Sequence, residues 1–477
     1  MKLFVTFTLF LLAVQGTLVF GQQDSAVASE AFPYDTDLLP ASFHASRRQL
    51  LRDSMPAGSV AVLFAGPERT RSNDVDYEYH QDPDFYYLTG LREPHAMLLV
   101  FKEDYRFRDS LTKEIIFVQD RDEEKEIWTG RRYGQRGVEA QFEIETVLLS
   151  SDFAGLTFDF SPLQHVFHHP IPGDVRDDKK NKGDLYSLYR HFARRIAVES
   201  VADKVDDRKL KSYMAALREI KTSEELVLMK KAIEMTCAAQ NELMRMFEPG
   251  MKEYEAEALI EYYFKKNGAE YPGFPSILGG GENSCILHYT SNRKKLDSNH
   301  LMVVDVGAEY HGYTADVTRT FPVDGKFSEE ERQIYELVLA AQKAGIEAAQ
   351  KGNKFWDPHD AATRVIQRGL IELGIIKKYY ESRRYFMHGT SHYLGLDVHD
   401  AGSYGSLKPG AVITVEPGIY IPAGSPCDEK WWNIGVRIED DILITTAGPV
   451  NLSDCIPREV DAIEALMKEK SIFNQGE

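Results

Sequence analysis

Four cysteines in 477 residues are too few and too scattered for a disulfide framework, and no two of them make a CxxC pair. A thiolate zinc site is therefore excluded. Cys427 and Cys455 share the C-terminal region and are the pair expected to bridge in an oxidising compartment, with buried free thiols as the alternative to any bridge at Cys237, Cys285, Cys427 or Cys455. Long apolar runs are also scarce. The one that exists, in MKLFVTFTLFLLAVQGTLVFGQQ, has one Lys, an apolar stretch from Leu3 to Val14 and small residues near Gly21. That is the order of a secretory signal peptide over residues 1–21, and the run is short for a membrane span. An uncleaved anchor extended by Thr17 to Phe20 is the alternative. The mature chain is expected to be secreted or periplasmic, with no stable membrane span. No long basic run is present, and acids outnumber bases 74 to 56 for a net charge of -18, which excludes nucleic acid as the natural partner. Acidity of this kind argues for solubility and not for a fold or a reaction.

What is present is enough apolar material, 43% hydrophobic, to bury the cores of two or more domains. Over residues 31–203, SVAVLFAG (59–66), HAMLLVF (95–101) and EIIFVQ (114–119) read as strands between helical or loop segments, a smaller α/β N-terminal domain. The charged, Gly-containing stretch at 172–182 reads as a surface loop, and the charged stretch at 200–222 as a partly helical inter-domain connection.

A second domain is expected over 218–470. Thr222 and Glu225 have capping-box spacing, and an apolar periodicity runs from Leu226 to Met246 before Pro249-Gly250. A second helix fits Glu253 to Lys266, closed by Gly268. Strand-like segments follow at 276–290 and 301–321. The order then recurs: Ser328 and Glu331 open a helix to about Gln350, another runs from Pro358 to Leu373, and strand-like segments lie at 392–398, 411–416 and 435–445. Two passes of helix, helix, strands suggest a duplicated α/β (α+β) unit, with a site where its halves face each other.

The stretch LMVVDVGAEYHGYTADVTRTF (301–321) reads as two apolar strands joined by a turn near His311-Gly312. Strand alternation leaves Asp305 and Asp316 on one face, opposite or diagonal, roughly 4.5–8 Å apart. Two like charges there call for something cationic between them. Taken alone, two solvated acids on an edge hairpin explain the pattern equally well. Downstream, MHGTSHYLGLDVHDAG holds His388, His392 and His399 in a Gly-punctuated stretch. In AVITVEPGIYI, Pro417-Gly418 turns the chain after Glu416 and leaves its carboxylate at a strand end. In GVRIEDDILIT, alternation puts Arg437, Glu439 and Asp441 on one face. Acids embedded in such strands need partners. For Glu439 alone a salt bridge with a neighbouring Lys or Arg is the plainer reading. Together the candidates are two Asp, two Glu and one or more His, a carboxylate-dominated set that suits divalent ions such as Mn²⁺, Co²⁺ or Zn²⁺. Four carboxylates exceed the charge of one ion, so two are the natural complement. A water shared by two such ions ionises near neutral pH.

The set Asp305, Asp316, His392, Glu416 and Glu439, with its flanking motifs and with EYHQDPDFYYLTGLREPHA and EIWTGRRYGQ upstream, resembles the pita-bread metallopeptidases, and among them the Xaa-Pro aminopeptidases. The resemblance implies a pita-bread catalytic domain in which those five residues hold two divalent ions, most commonly Mn²⁺. It implies that Glu416 also takes a proton from the bridging water, that His288 shuttles protons, and that His388 and His399 hold the substrate on either side of the scissile bond. Arg437 is implied to belong to the proton-handling network, and Trp128 to reach a neighbouring subunit in a homodimer or homotetramer. Thr390 and Tyr393 depart from the usual residues around the ligand histidine. The implied activity is release of the first residue from peptides with a free N-terminus and proline second. An Xaa-Pro dipeptidase (prolidase) of the same fold and a non-catalytic binding protein of that fold are the alternatives.

Overall fold

A computed structural model describes residues 35–474; the expected signal peptide at 1–21 lies outside the described residues. In the N-terminal unit, the three runs picked out by alternation become the strands Ser59–Phe64, Met97–Phe107 and Ser110–Val118. They join three shorter strands in a six-stranded sheet, whose order is 146–149, 110–118, 97–107, 59–64, 165–168, 205–206. The middle pairs are antiparallel and the outer ones parallel. Both faces are covered, so its central strands are apolar on both sides. Val60, Val62, Leu99 and Phe117 pack under the Leu185–Ile196 helix. Ala61, Leu63, Leu98 and Ile116 face a second core that also takes in Tyr313, Leu394 and Leu396 of the C-terminal unit. The two units are thus joined by shared apolar packing, not by a tether.

The C-terminal unit repeats its helix pair as the periodicity predicts. Thr222 caps Ser223–Met246 and Ser328 caps Glu329–Ala348, each with a reciprocal bond from the third-residue Glu, and the paired helices are Glu253–Lys266 and Asp357–Glu372. Their apolar faces close over the strands in one large core. The strand regions differ from expectation in three places. Only Ile277–Gly280 of the 276–290 stretch is strand, followed by a 3₁₀ turn over Gly281–Cys285. The 435–445 stretch is two strands, Ile434–Arg437 and Asp440–Thr445, that leave for different sheets at Ile438-Glu439. No strand forms over 392–398. Three hydrogen bonds lay Thr390–Leu394 along the Val412–Val415 strand, and the chain then bends at Gly395, where a Cβ would lie 2.2 Å from Asp400 Oδ2.

The cysteine expectation is also corrected. Cys455 bridges to Cys237, 218 residues away in sequence and with Cα atoms 6.0 Å apart, while Cys427 and Cys285 are free. Proximity in sequence is a poor guide here, because the C-terminal segment folds back against the Ser223–Met246 helix, where Asn241 Nδ2 also donates to the Cys455 carbonyl. Closing so long a loop restricts the unfolded chain, so reduction, or Cys237→Ser, is expected to lower unfolding free energy by about 2–4 kcal/mol in urea titrations. No change on reduction would show that this bridge carries none of the stability.

Candidate metal centre

The strands Leu301–Val306 and Val317–Pro322 pair antiparallel, and the same register continues to Tyr310↔Tyr313. The turn is therefore the two residues His311 and Gly312, both at positive φ (49° and 85°), as right-twisted hairpins prefer. Asp305 pairs with Thr318, which places Asp316 diagonally across from it on the same face. The hairpin pinches at Gly307, where a Cβ would lie 1.7 Å from the Ala315 carbonyl oxygen. Only glycine permits that approach, one residue away from Asp316.

The remaining acids arrive from the second half. Glu416 follows the Val412–Val415 strand, and its N–H donates to the Thr390 carbonyl, which sets the His388–His392 loop beside it. His392 Nε2 lies 3.3 Å from Asp316 Oδ2 and 3.5 Å from Glu416 Oε1. Asp316, His392 and Glu439 present ligand atoms all within 4.8 Å of one another. Glu439 accepts a 2.6 Å bond from Thr318 Oγ1, and Asp305 Oδ2 accepts one of 2.6 Å from Arg437. The opposite halves of the duplicated unit thus meet at these five residues.

This assembly is electrostatically unsatisfied. Burial, and then the neighbouring carboxylates, push Asp316 and Glu439 well above the usual carboxylate range. Burial raises Glu416 to about 7, against the opposing influence of His392. Asp305 Oδ1 and Asp316 Oδ1 are buried with no hydrogen-bond partner among the described residues. Four clustered carboxylates with orphaned oxygens ask for positive charge beyond Arg437.

Comparisons with known proteins identify what that charge is. Residues 227–446 match the model of metallopeptidase family M24, and residues 44–160 that of the aminopeptidase P N-terminal domain. The chain is 38% identical to an Xaa-Pro aminopeptidase of Escherichia coli (strain K12), over 88% of this chain and 96% of that protein. It is 37% identical to an Xaa-Pro aminopeptidase of Haemophilus influenzae, over 90% and 98%. The structure of E. coli aminopeptidase P with the inhibitor Pro-Leu superposes with a TM-score of 0.80 at 35% identity, covering 90% of this chain and 98% of that one. The chain belongs to the aminopeptidase P branch of metallopeptidase family M24. Its catalytic unit has the pita-bread fold of that family, and the family works with divalent metal ions. The donor set fits them: acceptor-only carboxylates, one imidazole and two orphaned buried oxygens are what hard or borderline divalent ions take.

Around these donors, M24 residues line a cavity of about 330 Å³ that includes His288, His388, His392, His399, Glu416 and Arg437. His399 stacks edge-on to His392, with ring centres 4.4 Å apart, and His288 is exposed at the rim. His388 is held neutral: burial and the Arg437 charge pull its pKa down to about 4. Its Nδ1 lies 2.7 Å from the Gly389 carbonyl and its Nε2 2.9 Å from the Tyr420 hydroxyl. A proton on Nδ1 leaves Nε2 to accept from Tyr420, whose oxygen in turn accepts from Arg437 at 3.0 Å. Trp128 is not brought to this cavity; it stands 87% exposed on the Glu123–Thr129 helix of the N-terminal unit. Tyr420 and Thr318 went unrecognised in the sequence, although parity gave a signal. Tyr420 falls in step with Glu416, and Thr318 with Asp316, on faces already singled out.

Proposed function

We propose that this protein is an Xaa-Pro aminopeptidase that releases the N-terminal residue from peptides with proline second, with two divalent ions, Mn²⁺ first among them, held by Asp305, Asp316, His392, Glu416 and Glu439. The observation that carries this reading is the convergence of those five donors, three of which (Asp305, His392 and Glu416) line one cavity with three further imidazoles, in a chain that matches Xaa-Pro aminopeptidases over nearly their full length. When bound, such ions polarise a carbonyl and lower the pKa of water. Glu416, at the end of its strand and beside His392, is placed to take the proton of the attacking water and pass it on. Neutral His388, ordered by Tyr420 and Arg437, and His399 both line the cavity, where they would flank the substrate on either side of the scissile bond, His388 by exchanging its bond to Gly389 or Tyr420. His288 at the rim is placed to move protons to solvent.

A secreted or periplasmic location is part of the same proposal. The signal-like N-terminus and the Cys237–Cys455 bridge both suit an oxidising compartment. Ile127 and Trp128, 81% and 87% exposed and adjacent, support association into a homodimer or homotetramer.

Chelation is expected to abolish hydrolysis of Arg-Pro-Pro, and Mn²⁺ to restore it with release of free arginine. Cleavage confined to Gly-Pro would favour the prolidase reading. Full activity in metal-free protein would overturn both.

A further inference from the structure

A second cavity, of about 350 Å³, lies at the junction of the two units against the tip of the metal-binding hairpin, and shares no lining residue with the catalytic one. Its size falls in the range of small-ligand sites. Its walls are the rings of Tyr79, Tyr86 and Tyr271 with Leu396, and its floor includes Gly312 of the hairpin turn. Most charged groups at its edge are already satisfied. Glu270 bonds Arg92 and both the ring and the backbone N–H of His311, and Arg92 also pairs with Asp35.

Glu309 is different. It is 5% exposed and lines the cavity; its Oε1 is paired with His80 at 2.8 Å, a contact that raises the His80 pKa, and the second carboxylate oxygen is left for a further donor. Among the described residues nothing bonds its Oε2 or the hydroxyl of Tyr86, a side chain likewise buried at 5%. The Tyr79 hydroxyl is buried and equally unpartnered. A carboxylate oxygen beside free phenol oxygens asks for a donor with several hydrogens, and the surrounding rings offer negative faces to a cation. A carboxylate ligand would instead meet Glu309 head-on.

We infer that this cavity is a binding site for a small organic ammonium with an apolar or aromatic body, its charged group on Glu309 and Tyr86 and its body among the tyrosine rings. Such a ligand bridges residues 79–86 of the N-terminal unit to the hairpin that carries Asp305 and Asp316. The site is independent of the reaction proposed above.

The test is calorimetric titration of the full chain with phenethylammonium, with phenylacetate and phenethyl alcohol as charge-reversed and neutral counterparts. Phenethylammonium is expected to bind one to one, to bind equally in chelator-treated protein, and to bind at least ten-fold more weakly to Glu309→Gln, with a smaller loss in Tyr86→Phe. Phenethyl alcohol is expected to bind more weakly and phenylacetate not at all. Unchanged affinity in Glu309→Gln, equal binding of phenylacetate, loss of binding on chelation, or no binding to the parent protein would each overturn the assignment. Should Glu309→Gln lose its near-UV circular dichroism, Tyr86→Phe alone decides: unchanged affinity there overturns it.

Discussion

Asp316→Ala is expected to lower kcat/KM on Arg-Pro-Pro by at least a thousand-fold, on the order of 4 kcal/mol of barrier, and to empty the metal centre in elemental analysis of the purified protein. The fold is expected to survive, because the Asp316 carboxylate supports nothing around it. Its Oδ1 has no hydrogen-bond partner among the described residues, its Oδ2 faces His392 at 3.3 Å, and its other close neighbours are the carboxylates of Asp305 and Glu439, which repel it. What anchors residue 316 is its backbone N–H, which donates to Asp441 Oδ2 whatever the side chain. The carboxylate is in fact a burden without metal. Burial and Asp305 raise its folded pKa above the unfolded value of about 3.8, so the folded state binds the extra proton. Stability of metal-free protein should therefore be greatest below that value and fall as pH rises above it, up through the raised folded pKa. Glu416 adds to the fall between 4.5 and about 7. Asp316→Asn is expected to flatten the profile and to be at least as stable as the metal-free parent near neutrality, while metal stabilises only the parent. A variant that keeps its metal and its activity would show that Asp316 is not a ligand.

Arg319→Ala is expected to lower unfolding free energy by about 3–5 kcal/mol, measured in urea, the usual consequence of removing one partner from a buried ion pair. Arg319 and Asp440 are both fully buried, 2.8 Å apart. Arg319 also donates to the carbonyls of Thr318, Glu439, Ser453 and Ile456. Truncation takes the guanidinium from the Glu439 and Ile456 carbonyls, leaves the Thr318 and Ser453 carbonyls with only their backbone donors, Glu439 and Ile456, and leaves Asp440 to Gln342, Ser453 and Arg458. The side chain sits behind the metal face: alternation sends Asp316 and Thr318 to one side of the strand and Arg319 to the other. Its bond to the Glu439 carbonyl holds the break between the two C-terminal strands, from which the Glu439 carboxylate projects to Thr318. Weaker metal binding should accompany the loss of stability. Arg319→Lys is expected to recover only part, since one ammonium cannot serve four carbonyls and a carboxylate. A loss below about 1 kcal/mol in Arg319→Ala would mean that water replaces the guanidinium at no great penalty.

Much of the catalytic unit was legible in the chain because its signals are local. Capping boxes at Thr222 and Ser328 mark helix starts within four residues, and period-two alternation puts Asp305 and Asp316 on one face whichever way the turn is drawn. The failures are where backbone pairing depends on distant residues. The 392–398 stretch alternates like a strand, but it bends at Gly395, where Asp400 and Lys221 leave no room for a side chain, and Ile438-Glu439 changes sheets within an apparently continuous run. Cys455 found Cys237 and not its sequence neighbour, because disulfide partners are chosen by Cβ positions in the folded chain.

Residue types and spacing by themselves determined the duplicated helix pairs and a pool of candidate donors, Asp305, Asp316, Glu416, Glu439 and the histidines at 388, 392 and 399, since each follows from periodicity or donor chemistry within a short window. The choice of five among them rested on the likeness to the pita-bread metallopeptidases. Only the tertiary structure decided that Asp305 lies diagonal to Asp316, that Tyr420 and Arg437 order His388, that Arg319 holds the Glu439 break from behind, and that a second cavity opens where the hairpin tip meets residues 79–86. Those are relations between segments brought together by burial of a shared core, and no local pattern encodes the distance between them.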